Sequence, residues 1–374
     1  MRQDLNIRAL KNLFSSRNTT YKFLLFYSLI KLIRELEDPT KKIEISYKQI
    51  IKEILLIAWL PSFQFNLNFN DQDKVKDYLI EYMKNTPKII KKNKPTNKIL
   101  KKISYEIDLI LKDDVILEKL ENNLINKDVV TRLIRPFYER AKGIPEAGLN
   151  GWYQNCEKIL IEDYQKEQSL YLINLKNKKI MPNNRWIKYI KENYFLLELF
   201  VLNEWFKYMQ TYNVNSPSLY EKLKLPNLKR NSLDTERKLW VEIIKKNEVK
   251  CIFSGEKLTE KNFDIDHFIC WNFLGHDQEW NLIPIISKKN RSKNNKVPEI
   301  NLIKNFVDFK IKSFGYAKKI LSDNKFNDYL SRHTNFINFS NNQCFTPSFK
   351  SKYNEEINSL ANKAKNQGFE TFIN

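Results

Sequence analysis

Cysteine is scarce and scattered: Cys156, Cys251, Cys270 and Cys344 are the four in 374 residues, and no two lie close together. With no secretory signal at the start of the chain, that usage predicts a reduced, intracellular, cytoplasmic setting rather than a disulfide framework. Long apolar runs are missing too. The most apolar segment, Tyr21 to Leu36, is interrupted by Lys22, Ser28, Lys31 and Arg34. Nothing approaches the roughly 18 uninterrupted apolar residues of a membrane span, so a soluble protein without membrane contact is expected. No internal repeat or heptad array is present. Acidic residues are outnumbered, 44 Asp plus Glu against 64 Lys plus Arg, which leaves a net charge of +20. An excess of that size favours a polyanionic partner, nucleic acid before an acidic membrane surface. Part of it has a plainer origin in a Lys- and Asn-rich composition decorating a solvated surface.

What the chain has is enough apolar material for real cores: 42% hydrophobic residues, with 24 Phe, 18 Tyr and 7 Trp. Its length predicts two domains. Polar cap candidates from Ser15 to Thr20 precede an apolar helix over Tyr21 to Ile33, stopped at Pro39. A second helix is expected from Tyr47 to Leu60. The strict alternation of Phe63 to Phe69 then predicts a half-buried strand. Helix returns over 71–84. Residues 84–102, with eight lysines and two prolines, read as a solvated linker that could also track a phosphate backbone. Further helices are expected over 100–125 and 126–142, a turn at 143–148, a hairpin from Leu170–Asn174 to Lys179–Met181, and helix from Arg185 to Tyr208. Asn213 to Ser218 and Pro226 mark the domain boundary. The expected fold is mainly α with a small α+β module: a helical N-terminal domain over 1–230, a C-terminal module over 231–322, and a tail over 323–374.

The module centres on Phe263 to Pro298, which holds two of the three histidines. Phe263-Asp-Ile-Asp266 alternates like a strand, and Asp266 is a hard oxygen ligand suited to magnesium or manganese. His267 follows directly. Neighbours on a regular strand face opposite ways, so both serve one site only if the strand ends there, as the loop-like 268–280 stretch suggests. Leu282 to Ile286 reads as the returning strand. Ser287 is an N-cap candidate for a short helix over 288–294, on which Asn290 can offer an amide oxygen toward Asp266.

One carboxylate, one histidine and one amide on two strands and a helix are the parts that metal-assisted phosphodiester cleavage needs. Asp266-His267, Trp280-Asn281-Leu282, and Asn290 with Lys293 and Asn294-Asn-Lys-Val-Pro298 together resemble the HNH family of ββα-metal endonucleases. The gaps, 14 residues from His267 to Asn281 and nine more to Asn290, are similar to those in the HNH module of Cas9 effectors. The resemblance covers about Lys250 to Asn305. It implies that Asp266 and Asn290 ligate one Mg2+ or Mn2+, that His267 is the general base, and that Asn281 fixes the loop that aims it. Asp264, two residues before Asp266, reads first as an outer contact or a surface ion pair. His276 reads as a loop histidine and His333 as unrelated.

The departures from the family pattern are informative. Many members hold a structural zinc with two C-x-x-C knuckles; here Cys251-Ile-Phe-Ser254 keeps one cysteine and Cys270 has no close partner. No structural zinc is expected, and Phe253, Trp271, Phe273 and Trp280 are the expected supports. A proline common early in the loop is absent. The RuvC halves of Cas9 are absent too, so RNA-guided cutting is not implied. Lys288, Lys289, Arg291, Lys293 and Lys296 crowd the motif helix and are expected to lie against the phosphate backbone. The functional expectation is a metal-dependent endonuclease acting on DNA. Its layout is similar to restriction or phage-defence effectors, with the N-terminal domain serving recognition, a protein partner or autoinhibition. RNA is the alternative substrate, and an inert nucleic-acid- or partner-binding HNH scaffold the non-enzymatic alternative.

Overall fold

Apolar periodicity decides most of the N-terminal half. In the computed structural model, which describes residues 5–373 apart from 16–18, 38–42, 84–96, 126–128, 142, 145–150, 167 and 225–231, the chain divides into two units. One comprises Met1–Val214 with Lys222–Asn227, the other Asn215–Glu221 with Leu228–Asn374. The chain is mainly helical, and the module with the central motif lies in the second unit. Among the described residues no helix is long and apolar enough to cross a membrane.

In the first unit, α1 (Tyr21–Arg34) is apolar round most of its girth and buried accordingly. It packs against α2 (Tyr47–Trp59) and, much later in sequence, α9 (Tyr194–Gln210). A capping box starts α2: the Ser46 hydroxyl accepts from the Gln49 amide while the Gln49 side chain accepts from the Ser46 amide, satisfying donors that a helix start leaves open. Between them come α3 (Val75–Tyr82), α4 (Asn97–Ile110), α5 (Asp114–Leu120), α6 (Val129–Ile134), α7 (Gly151–Gln165) and α8 (Asn184–Glu192). The expected hairpin exists as β2 (Tyr171–Asn174) and β3 (Lys179–Pro182), with β1 (Ile45–Ser46) added on the far edge of β3.

One expectation fails here. Phe63 to Phe69 is not a strand: Leu60–Gln64 forms a wide helical turn, and the following residues have no strand partner. The Asn213 side chain takes that place, accepting from the Asn68 amide and donating to its carbonyl, both at 2.8 Å. The alternation nonetheless buries Phe65 and Leu67. The linker expected over 84–102 lies outside the described residues as far as 96, but 97–102 belong to α4.

In the second unit α10 (Asp234–Lys246) leads into the motif. An antiparallel pair follows, β4 (Phe263–His267) and β5 (Leu282–Ile286), joined by a loop containing α11 (Trp271–Leu274). Next come α12 (Ser287–Lys293), β6 (Val297–Pro298) and α13 (Ile300–Lys318). Residues 323–374, expected as a tail, are not one. They form α14 (Asp323–Thr334), α15 (Pro347–Asn366) and β7 (Thr371–Phe372), and β7 pairs in parallel with β6. Their apolar residues share one core with the motif. Phe336 stacks on Trp280 at 3.8 Å, and the Tyr353 hydroxyl donates to the Trp280 carbonyl at 2.7 Å.

Candidate active site

Strand geometry puts residues two apart on one face, so Asp264 and Asp266 share a face of β4. The helix α12 leaves β5 directly and packs on both strands. Asn290 and Lys293, one helical turn apart, meet the two carboxylates. Asn290 Nδ2 donates to Asp264 Oδ2 at 3.2 Å. Lys293 Nζ donates to Asp266 Oδ2 at 2.8 Å and to the His267 carbonyl at 2.7 Å. A carboxylate only accepts, so the Asn290 amide nitrogen is committed to Asp264 and its oxygen is the atom left to offer a cation.

His267 is the last residue of β4, opposite Leu282. Its ring lies 2.9 Å, Nε2 to Oδ1, from Asp277 in the loop, with side chains only 6% and 8% exposed. Asn281 is wholly buried and grips the backbone just beyond: Oδ1 accepts from the Ile269 amide and Nδ2 donates to the Ile269 carbonyl, both at 2.8 Å. The Phe268 amide donates to the Asn281 carbonyl at 2.8 Å. The strand therefore ends at His267 because a side-chain clamp takes over its ladder.

Of the residues expected from sequence, Asp266 is held by Lys293 and Asn290 by Asp264, on neighbouring positions of the same strand face and helix. His267 joins them through its carbonyl on Lys293 rather than through its ring. Lys293 is corrected: it is not on the basic surface but fully buried, an ammonium tying helix to strand. A lysine inside a basic run gives no sequence sign of that. Lys288 and Arg291 are exposed, Lys289 half-buried, and Lys296 lies 3.5 Å from Glu370. Ser287 is the first residue of α12 rather than its N-cap, a position that Ile286 takes. Asp264, read from sequence as an outer contact, orients a proposed ligand. Asp277 was missed, since a loop carboxylate ten residues from its partner has no motif to betray it.

Two buried groups lie apart from these. His333 is enclosed in α14 with Nδ1 2.9 Å from the Tyr329 carbonyl, and burial pushes its pKa well down. Lys310 donates to the Glu279 carbonyl at 2.8 Å. Burial lowers its pKa to about 7 and raises that of Glu279 to about 7. They brace the segment ahead of Asn281 from behind.

The donor set fits a hard divalent cation. Mg2+ takes one or two carboxylates and keeps waters, and the Lys293 ammonium bonds Asp266 Oδ2, which leaves Oδ1 as the oxygen for an ion. Asp266 is 16% exposed, so solvent reaches it. Among the described residues no three His, Cys, Asp or Glu converge; the oxygens here come from two carboxylates and an amide. The apolar supports are in place: Phe253, Trp271, Phe273 and Trp280 are all buried, as are Cys251 and Cys270.

Searches of curated proteins and of solved structures find no match to the chain. A family model described as HNH endonuclease matches residues 251–299, the segment that carries β4, the clamped loop, β5 and α12. The similarity to HNH endonucleases is carried by that segment.

Proposed function

We propose that this HNH domain hydrolyses phosphodiester bonds in DNA, with His267 as general base and one Mg2+ or Mn2+ held by Asp266 and Asn290. The observation that carries this reading is the cluster of Asp264, Asp266, Asn290 and Lys293 at the β4–α12 junction, on the strand that ends in His267. A divalent ion bound there would neutralise charge on the scissile phosphate and the leaving oxygen. Asp264 keeps the Asn290 amide turned so that its oxygen faces outward. Lys293 holds Asp266 Oδ2 and leaves Oδ1 to the ion. Asn281 holds the strand end, and so the base, in place. Lys288, Lys289 and Arg291 on α12 supply phosphate contacts that carry no sequence information.

The preference for DNA follows the motif's resemblance, and RNA is the second reading. A role in restriction or phage defence, and the first unit as the surface for a protein partner, rest on the layout alone. The test is to incubate the protein with supercoiled plasmid, single-stranded DNA and RNA in magnesium, manganese or EDTA. Metal-dependent cutting of DNA is expected. Cutting confined to RNA moves the substrate, and binding without any cutting favours the inert scaffold.

A further inference from the structure

We infer that Asp277 is the positioning residue for His267, and that it makes Nδ1 the nitrogen that takes the proton from water. This rests on the nuclease reading above. Asp277 Oδ1 lies 2.9 Å from His267 Nε2, and both side chains are almost wholly enclosed. A carboxylate only accepts, so the neutral ring carries its proton on Nε2 and keeps the Nδ1 lone pair free. Hydrogen-bonding one ring nitrogen of a base to fix the other is the role of the aspartate in the Ser-His-Asp triad.

The loop is built to hold that carboxylate. Gly275 ends α11 in the left-handed region (φ +77°) and its amide closes on the Trp271 carbonyl at 2.7 Å; a side chain there would be strained. His276 lies edge-on to Trp280 at 5.6 Å. Trp280 Nε1 donates to Gln278 Oε1 at 2.5 Å, and Trp280 is itself stacked on Phe336. Residues on both sides of Asp277 are thus tied to one anchored indole.

In the step itself, a water O–H bond breaks and its proton goes to Nδ1 as the oxygen bonds phosphorus. The P–O bond to the leaving sugar oxygen breaks, and that oxygen takes a proton from solvent. The imidazolium left behind faces an ionised Asp277 in a nearly dry pocket, where the attraction is strongest.

Two readouts test this. Nitrogen-15 spectra of the histidines, with the His267 signals assigned by His267→Gln, report the tautomer without any cutting. The Nε2–H form is expected in the wild type, and an Nδ1–H form overturns the inference. Asp277→Asn is expected to lower kcat by ~100-fold or more with KM, gel-shift affinity and melting temperature kept. In a His267→Ala background the same change is expected to cost nothing further, which a merely structural carboxylate would not show. Asp277→Asn cutting at the wild-type rate also overturns it. If the wild type cuts no substrate, the nuclease reading fails, and the catalytic role of Asp277 falls with it, whatever the tautomer.

Discussion

The two units bury polar groups differently. In the first they tie elements together in small groups: Asp73 accepts from the Thr20 amide, Asp163 meets Arg140, Glu121 meets Lys178, and Glu198 accepts from the Tyr27 and Tyr194 hydroxyls. In the second, Asp266, Lys293, His267 and Asp277 form a string, flanked by the Asp264–Asn290 pair and by Asn281 on the Ile269 backbone, along one hairpin and one short helix. All three histidines are in that unit. Buried polar groups cost free energy unless paired; the first unit spreads its pairs among its elements, while the second gathers them at the end of one strand.

The comparison can be broken in several places, beginning with the string. Asp266→Asn keeps an acceptor for Lys293 but loses the ligand charge. It is expected to cut at least ~1000-fold more slowly, since the metal's charge stabilisation is worth several kcal/mol, and to melt at a lower temperature, since the buried Lys293 ammonium loses its counter-charge. Asp266→Ala is expected to lose both. A slow but undiminished melting profile in both variants would detach Lys293 from the site. Lys293→Ala should destabilise the second unit by about 3 kcal/mol, because it strands a partly buried carboxylate. Chemical denaturation measures this, and a cost below that of an exposed lysine would mean the bond at 2.8 Å is not held.

In the first unit the effect is smaller and depends on pH. Burial raises the Asp73 pKa from 3.8 to about 6. A carboxyl whose folded pKa is raised contributes stability that is full below pH 3.8 and lost as pH rises through about 6. Asp73→Asn is neutral throughout, so its advantage over the wild type should grow across that window to at most about 2–3 kcal/mol. Melting curves across the window check it, and an advantage that shrinks with rising pH would contradict the assignment. Smallest is the surface: Lys288→Gln is expected to weaken DNA binding a few-fold and reduce the salt slope by about 1. An unchanged slope would remove α12 from the interface.

How much was legible follows from the same physics. The helix α1, the 171–182 hairpin and the β4–β5–α12 module announce themselves because their periods run over many residues. β1 is two residues long, too short to carry a period. Phe63 to Phe69 has the right period but no partner strand, and periodicity cannot see partners. Residues 323–374 look thin because their aromatics are spaced between asparagines and serines, yet Phe336, Phe349 and Tyr353 find one core. In the site, residue types at fixed gaps were readable, whereas pairings across loops, Asp277 on His267 and Lys293 on Asp266, depend on how the chain returns.

The central claim is that His267 is the base of a metal-dependent cut. The most direct measurement is the single-turnover rate of plasmid nicking in magnesium by the wild type beside His267→Ala. The account predicts metal-dependent nicking by the wild type and a loss of ~100- to 10,000-fold in the variant, the usual worth of general-base catalysis. Equal rates for the two proteins would contradict it.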